Sequence, residues 1–402
     1  MSQSDPGRKD THASKTVERS VRVGSIAGIH IHLDFSLIII FVLVVSMLGG
    51  SLFPGWHPDW SPVQTWVIAL AAGILFFASL LLHELAHSLV AQHFDIPVPR
   101  ITLFLFGGMA EIEDEPENPM VEFLIAIVGP ATSLILGLIF SVLGSAMAGP
   151  EFADLLTLDQ EAALASLSPS STLLFWLGPI NILLGLFNLI PGFPLDGGRV
   201  LRAALWWITG DLYRATHLAS DAGRLFGWFF MIVGVLQAFS GAFLQGLWLL
   251  LIGWFLAGAA STSYSQMKTR RALMGRTVRN LMRTHFESTH AELPVNEFID
   301  NHLLQSSQTL WPVLEGGRLV GLVTLEEVKN VPPQKRDGLR VGDVMLTNLD
   351  ELTINPELRA DKAVQALSTC HTPMAVVENG EVLGLVAQAD AMKWLLLHQT
   401  QP

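Results

Sequence analysis

The sequence predicts a polytopic α-helical membrane protein, with about six transmembrane helices and a short membrane-associated β segment, followed by a cytosolic α+β module. Three observations predict it. Half of the 402 residues are hydrophobic and only 15% are charged, against roughly a quarter charged in an average soluble domain. The charge is also unevenly spread. Residues 35–262 carry five Arg, no Lys and sixteen acids, whereas residues 263–402 carry fourteen basic and sixteen acidic side chains. Finally, the charged tail repeats itself with a constant offset of 63 residues.

The composition excludes other classes. Cys370 is the single cysteine, so no disulfide scaffold can form within the chain. The formal charge of −12 excludes a nucleic-acid partner, which calls for a basic surface.

A bilayer core of about 30 Å needs roughly 20 apolar helical residues. Runs of that kind are expected over 35–54, 65–94, 120–147, 171–190, 223–240 and 243–262, the last two open to a shallower hairpin reading. Segments 55–64 and 148–170 contain no Lys or Arg, while the head, 191–222 and the stretch after the last run are basic. The positive-inside rule then puts both termini on the cytoplasmic face; the lack of a mitochondrial-type presequence and the compact architecture point to a prokaryotic inner membrane. The expected organisation is a disordered head (1–25), a membrane domain (26–262), a basic linker (263–277) and two repeats (278–332 and 338–397).

Two stretches resist a helical reading. Residues 101–106 are short and β-rich and end at Gly107-Gly108, and residues 191–199 (PGFPLDGGR) are rich in helix breakers. Irregular backbone at membrane depth is tolerated where protein or a water-filled cavity satisfies it. Both stretches are therefore candidate cavity linings.

The central pattern is His83-Glu84-Leu85-Ala86-His87. On a helix, residues four apart share a face, so His83 and His87 can offer two imidazoles to one Zn²⁺. Glu84 lies beside them, where a carboxylate can take a proton from a water whose pKa the metal has lowered towards ~7. Ionisable groups within a membrane helix are costly and point to function, with an interfacial cluster as the alternative. A catalytic zinc wants a third protein ligand, and Asp196 stands at the cytoplasmic end of the fourth run, at a depth similar to the histidines. Taken alone it reads as a turn aspartate or a partner of Arg199; beside the His83–His87 pattern, the ligand reading prevails. His30, His32, His57, His93 and His217 show no ligand spacing and read as interfacial or structural.

His83-Glu84-Leu-Ala-His87, Phe106-Gly107-Gly108, Gly129-Pro130-Ala-Thr-Ser133 and Asn188-Leu-Ile-Pro191-x-x-Pro194-Leu-Asp196-Gly197 together resemble the site-2 proteases, intramembrane zinc metalloproteases, of the subgroup with a C-terminal pair of CBS domains. The resemblance implies one zinc per chain held by His83, His87 and Asp196, with Glu84 as the base and Asn188 stabilising the oxyanion. It also implies a substrate that is itself a single-pass transmembrane protein in the bilayer. Such a substrate must become extended, and the strand over 101–106 is expected to pair with it, with Phe106, Gly107 and Gly108 at the substrate. The small residues of the 129–133 segment are expected to allow close helix approach or to bear on substrate. A rival class, an ion or metal transporter with regulatory CBS domains, and an inactive membrane adaptor remain open; they separate from a protease on Glu84.

In the tail, Val278, Met282, Val313, Gly321 and Leu322 match Val341, Met345, Val376, Gly384 and Leu385. Each copy reads as a hairpin followed by a short helix and resembles a CBS domain. That resemblance implies a homodimer and ATP or AMP as ligand. The family's ribose pattern, Thr or Ser followed three residues later by Asp, is met in part by Thr324 with Glu327 and in part by Ala387 with Asp390. Met282 and Met345 are expected in the core.

Overall fold

The computed structural model describes residues 20–105, 107–112, 116–370 and 372–398. The chain divides into two units, Met1–Tyr264 and Ser265–Pro402.

The first unit begins with a hairpin, β1 (Ser20–Ile26) and β2 (Ile29–Asp34), closed by Ala27 and Gly28 at φ 51° and 81°. Two central residues at positive φ match the twist of the flanking strands. The head expected to be disordered through residue 25 is thus a paired strand from Ser20 onward, because Ser20 to Ile26 find partners along β2. Residues 1–19 of that head lie outside the described residues. β2 runs parallel to β3 (Arg100–Phe104), and β3 is antiparallel to β4 (Gly107–Ala110), giving the order β1-β2-β3-β4. The strand expected over 101–106 therefore covers 100–104 and is internal. Its hydrogen-bonding edges are filled by β2 and β4, so it cannot accept a further strand. Among the described residues the open edge on that side belongs to β4. Ile29, Ile101 and Leu103 of the sheet pack with Leu80, Leu85 and Ile125 of the helices below.

Among the described residues, six helices are long and apolar enough to cross a membrane: α1 (Phe35–Trp56), α2 (Pro62–His93), α3 (Pro119–Ala148), α6 (Pro169–Asn188), α8 (Leu212–Phe239) and α9 (Phe243–Leu273). The expected number is met. Short helices α4 (Glu151–Leu158) and α5 (Gln160–Ala165) join α3 to α6, and α7 (Asp196–Thr209) lies between α6 and α8. Start signals are local. Ser61, Asn118 and Ser168 each cap a helix with a side-chain oxygen, and each is followed by Pro.

The fifth span starts at Leu212, not 223. Asp211 accepts from the backbone N–H of Tyr213 and Arg214, and the charges that break the apolar run, Asp221 and Arg224, pair along the helix. The sixth continues to Leu273, so most of the segment expected to be a linker is helical. Where α8 and α9 meet, a Cβ at Gly227 would stand 2.7 Å from the Gly253 carbonyl oxygen, an approach only glycine permits.

The second unit contains two antiparallel hairpins, β5 (Leu310–Glu315) with β6 (Arg318–Thr324) and β8 (Met374–Glu378) with β9 (Glu381–Val386); β7 (Thr353–Ile354) runs parallel to β8. The repeats exchange their leading segments. Arg283, ahead of the first hairpin, exchanges both backbone hydrogen bonds with Leu385 of the second, at 2.8 and 3.0 Å. Leu346, ahead of the second hairpin, does the same with Leu322 of the first, at 2.7 and 3.0 Å. Met282 and Met345 lie against Gly384 and Gly321 accordingly. Leu310 and Leu322 share one core with Ala375 and Leu385.

Candidate metal centre

α2 carries His83 and His87 on one face, 2% and 4% exposed. Burial in apolar surroundings obliges each imidazole to find polar partners. His87 Nδ1 is 2.6 Å from the Ile125 carbonyl oxygen, which can only accept, so the proton sits on Nδ1 and the Nε2 lone pair is free. His83 Nδ1 meets Ser133 Oγ at 2.9 Å. Both partners lie on α3, whose approach depends on Gly129: a Cβ there would stand 2.0 Å from His87 Nε2. Partners of this kind fix tautomer and ring orientation in metal sites.

Asp196 opens α7. The 191–195 turn ahead of it is held by close backbone contacts. Phe193 N–H donates to the Ala219 carbonyl at 3.2 Å, and Gly192 sits against Gly223 of α8. Asp196 Oδ2 is 3.1 Å from Nε2 of His83 and 3.1 Å from Nε2 of His87, and the two Nε2 atoms are 3.2 Å apart.

Three electron-pair donors facing one another so closely repel unless a cation or protons lie between them. Donor atoms at roughly 2.0–2.1 Å from a tetrahedral Zn²⁺ stand about 3.3–3.4 Å from one another. The observed separations fit that figure closely, and the donor set of two imidazoles and one carboxylate suits zinc.

The other residues singled out in the sequence fall as follows. Glu84, partly buried, lies against the β3–β4 hairpin: a Cβ at Gly108 would be 2.3 Å from its Cγ. Gly107 has φ +136°, open to glycine. Phe106 lies outside the described residues. Asn188 ends α6, and its amide donates to the Leu184 carbonyl at 3.1 Å; it makes no hydrogen bond to the three converging groups.

In the second unit, Thr324 and Glu327 bond each other in a capping box that starts a short helix. Asp390 accepts from the Ala387 N–H and from Arg283, each at 3.0 Å. His57, expected to be structural, is 3% exposed, bonds Thr172 Oγ1 at 2.7 Å and stacks on Trp60.

Sequence reasoning missed the partners on α3. Gly129 and Ser133 stood out as small residues suited to helix packing, but both bear on the histidines themselves. The signal available was spacing: Ile125, Gly129 and Ser133 recur every four residues, one face of a helix.

The description "Peptidase family M50" matches residues 71–234, and "CBS domain" matches residues 278–332 and 341–397. The Mycobacterium tuberculosis protein named zinc metalloprotease Rip3 is 32% identical over 381 residues, which covers 93% of this chain and 92% of that protein. Zinc metalloprotease MJ0392 of Methanocaldococcus jannaschii is 26% identical over 376 residues, 93% of this chain and 95% of its own length. Among solved structures, the site-2 protease from Methanocaldococcus jannaschii covers 61% of this chain and 95% of its own, with 28% identity and a TM-score of 0.43. With relatives aligned over nearly their whole length and a histidine–aspartate centre set among six apolar helices, the chain belongs to peptidase family M50, the site-2 proteases: a multi-pass membrane zinc metalloprotease with a C-terminal pair of CBS domains.

Proposed function

We propose that this protease cuts a peptide bond within the transmembrane helix of an anchored single-pass protein, near the cytoplasmic side, in regulated intramembrane proteolysis. The observation that carries the reading is the convergence of His83, His87 and Asp196 to 3.1–3.2 Å on elements that belong to an apolar helical unit. These three hold one Zn²⁺ per chain. Bound zinc supplies a Lewis acid that polarises a carbonyl and lowers the pKa of water.

The chain's own residues do the rest. Glu84 takes the proton that water loses on attacking the carbonyl carbon, then delivers it to the departing amine. Asn188 turns its amide from the Leu184 carbonyl to the developing oxyanion. An unwound substrate segment adds to the outer edge of β4, with Phe106, Gly107 and Gly108 against it, so that its backbone groups stay paired at membrane depth. Both termini face the cytoplasm, with the chain in the inner membrane, and the CBS pair forms a homodimer.

The testing experiment compares peptide termini in membranes from cells carrying wild type or Glu84→Gln. New termini inside apolar helices of single-pass proteins, present with wild type alone, support the reading. Termini confined to soluble loops, or no difference, would sink it.

Gly108→Ala probes the contact beneath Glu84. The added methyl must push the carboxylate aside, since the opposing atoms belong to Glu84 itself. A displacement of this size lowers kcat by about ten- to a hundredfold, with zinc content unchanged. A change confined to KM would place Glu84 outside the proton transfers.

ATP or AMP at the CBS pair adjusts cleavage in this reading. Thr324, Glu327 and Asp390 are the polar groups offered to a ribose, and each is already engaged. Titration of the full chain in detergent should give heat with ATP or AMP that Asp390→Ala removes. No heat with either nucleotide would exclude this regulation.

A further inference from the structure

Four residues of α3 form one stripe at spacings of three, four and four: Glu122, Ile125, Gly129 and Ser133. The last three bear on His83 and His87, as described. Glu122 bears on a different element. Its carboxylate is fully buried and forms an ion pair with Arg202 of α7, while its second oxygen, Oε2, has no partner. The Arg202 guanidinium also lies over the Phe193 ring, 5.3 Å from the centroid, three residues ahead of Asp196.

A buried ion pair is seldom a gain over apolar side chains of the same volume, and fixing register is its best-attested use. Register matters here. A slip of α7 by one turn, about 5.4 Å, would carry Asp196 out of reach of both histidines. Arg199 and Arg202 lie three and six residues beyond Asp196; Arg199 feels the charges of Glu122, Asp196 and Glu84, while Arg202 makes the direct ion pair with Glu122. Of the two arginines on that face, Glu122 holds the second, which sets how far α7 is inserted.

We propose that Glu122 and Arg202 are positioning residues: the pair locks α7 to α3, so that the helix orienting both histidines also sets the place of Asp196. This rests on the reading of Asp196 as the third zinc ligand.

The test measures zinc affinity of the full chain in detergent by competition with a chelator, with no turnover involved. Glu122→Gln and Arg202→Gln should each bind zinc about ten- to a hundredfold more weakly, the range for groups that orient ligands. Arg202→Lys keeps the charge but loses the guanidinium fork and its stacking on Phe193, so its affinity should fall between wild type and Arg202→Gln. The melting temperature of the zinc-free protein separates a structural role, because a merely stabilising pair would lower it and leave the affinity of the folded protein alone.

Unchanged affinity in folded Glu122→Gln or Arg202→Gln overturns the proposal, as does equal loss in Arg202→Lys. If both glutamine variants fail to fold, Arg202→Lys against Arg202→Met decides: like affinities overturn the proposal. Asp196→Ala in the same assay keeps the two readings apart. Should it retain full affinity, the ligand assignment fails; should it lose zinc while Glu122→Gln does not, the lock alone fails.

Discussion

Glu84→Gln should leave zinc bound and lower peptide hydrolysis by roughly 10²–10⁴-fold in kcat, the range for general acid–base catalysis. The amide matches the carboxylate in shape, so the contact with Gly108 and the helix face are kept. His83, His87 and Asp196 are untouched, and the Nδ1 partners of the two histidines on α3 remain. What changes is the ability to accept a proton. The measurement uses a single-pass peptide co-reconstituted in vesicles, with fragments read by mass spectrometry and zinc counted per chain. Activity retained within threefold would assign the base to another group. Loss of zinc together with activity would make Glu84 part of the metal shell.

Asp196→Ala has the other large effect, acting one step earlier. With the carboxylate gone, the two Nε2 atoms 3.2 Å apart are left to hold the metal alone. Zinc should fall from about one per chain to well below one half after dialysis, and hydrolysis should fall with it. Asp196→Asn separates charge from shape. The amide oxygen can still reach the same place beside both imidazoles, but without the negative charge that binds a cation most strongly. Full zinc in both variants would reopen the choice of third ligand.

Much of this site was legible in the chain before any fold was known. His83, Glu84 and His87 are local in sequence, and an α-helix fixes their relation without further information. Asp196 alone read as a turn aspartate, and it read as a ligand only beside His83 and His87 at a similar depth. The partners on α3 were not legible in the same way. Ile125 contributes a carbonyl, which any residue possesses, and Ser133 gains meaning only once α3 approaches within a glycine's width of His87. The Glu122–Arg202 pair spans 80 residues and follows no local pattern. The strand at 101–106 was recognised as β but not as internal, since one neighbour, β2, lies in a stretch read as polar head and entry to the first span, and the other, β4, begins at the Gly107-Gly108 pair read as the strand's end. Hydropathy misplaced the start of α8, because Arg214, His217, Asp221 and Arg224 interrupt the apolar run without interrupting the helix.

The exchange of leading segments in the CBS unit reaches past stability. Arg283 completes the hairpin of the second repeat, and Leu346 completes that of the first. Neither repeat closes its own sheet, so the half-module is not a smaller version of the whole. Loss of either repeat would uncover the backbone of the remaining hairpin and its half of the shared core, Ala375 and Leu385 or Leu310 and Leu322. The unit that can be expressed or transplanted whole is therefore the pair of repeats, not one of them.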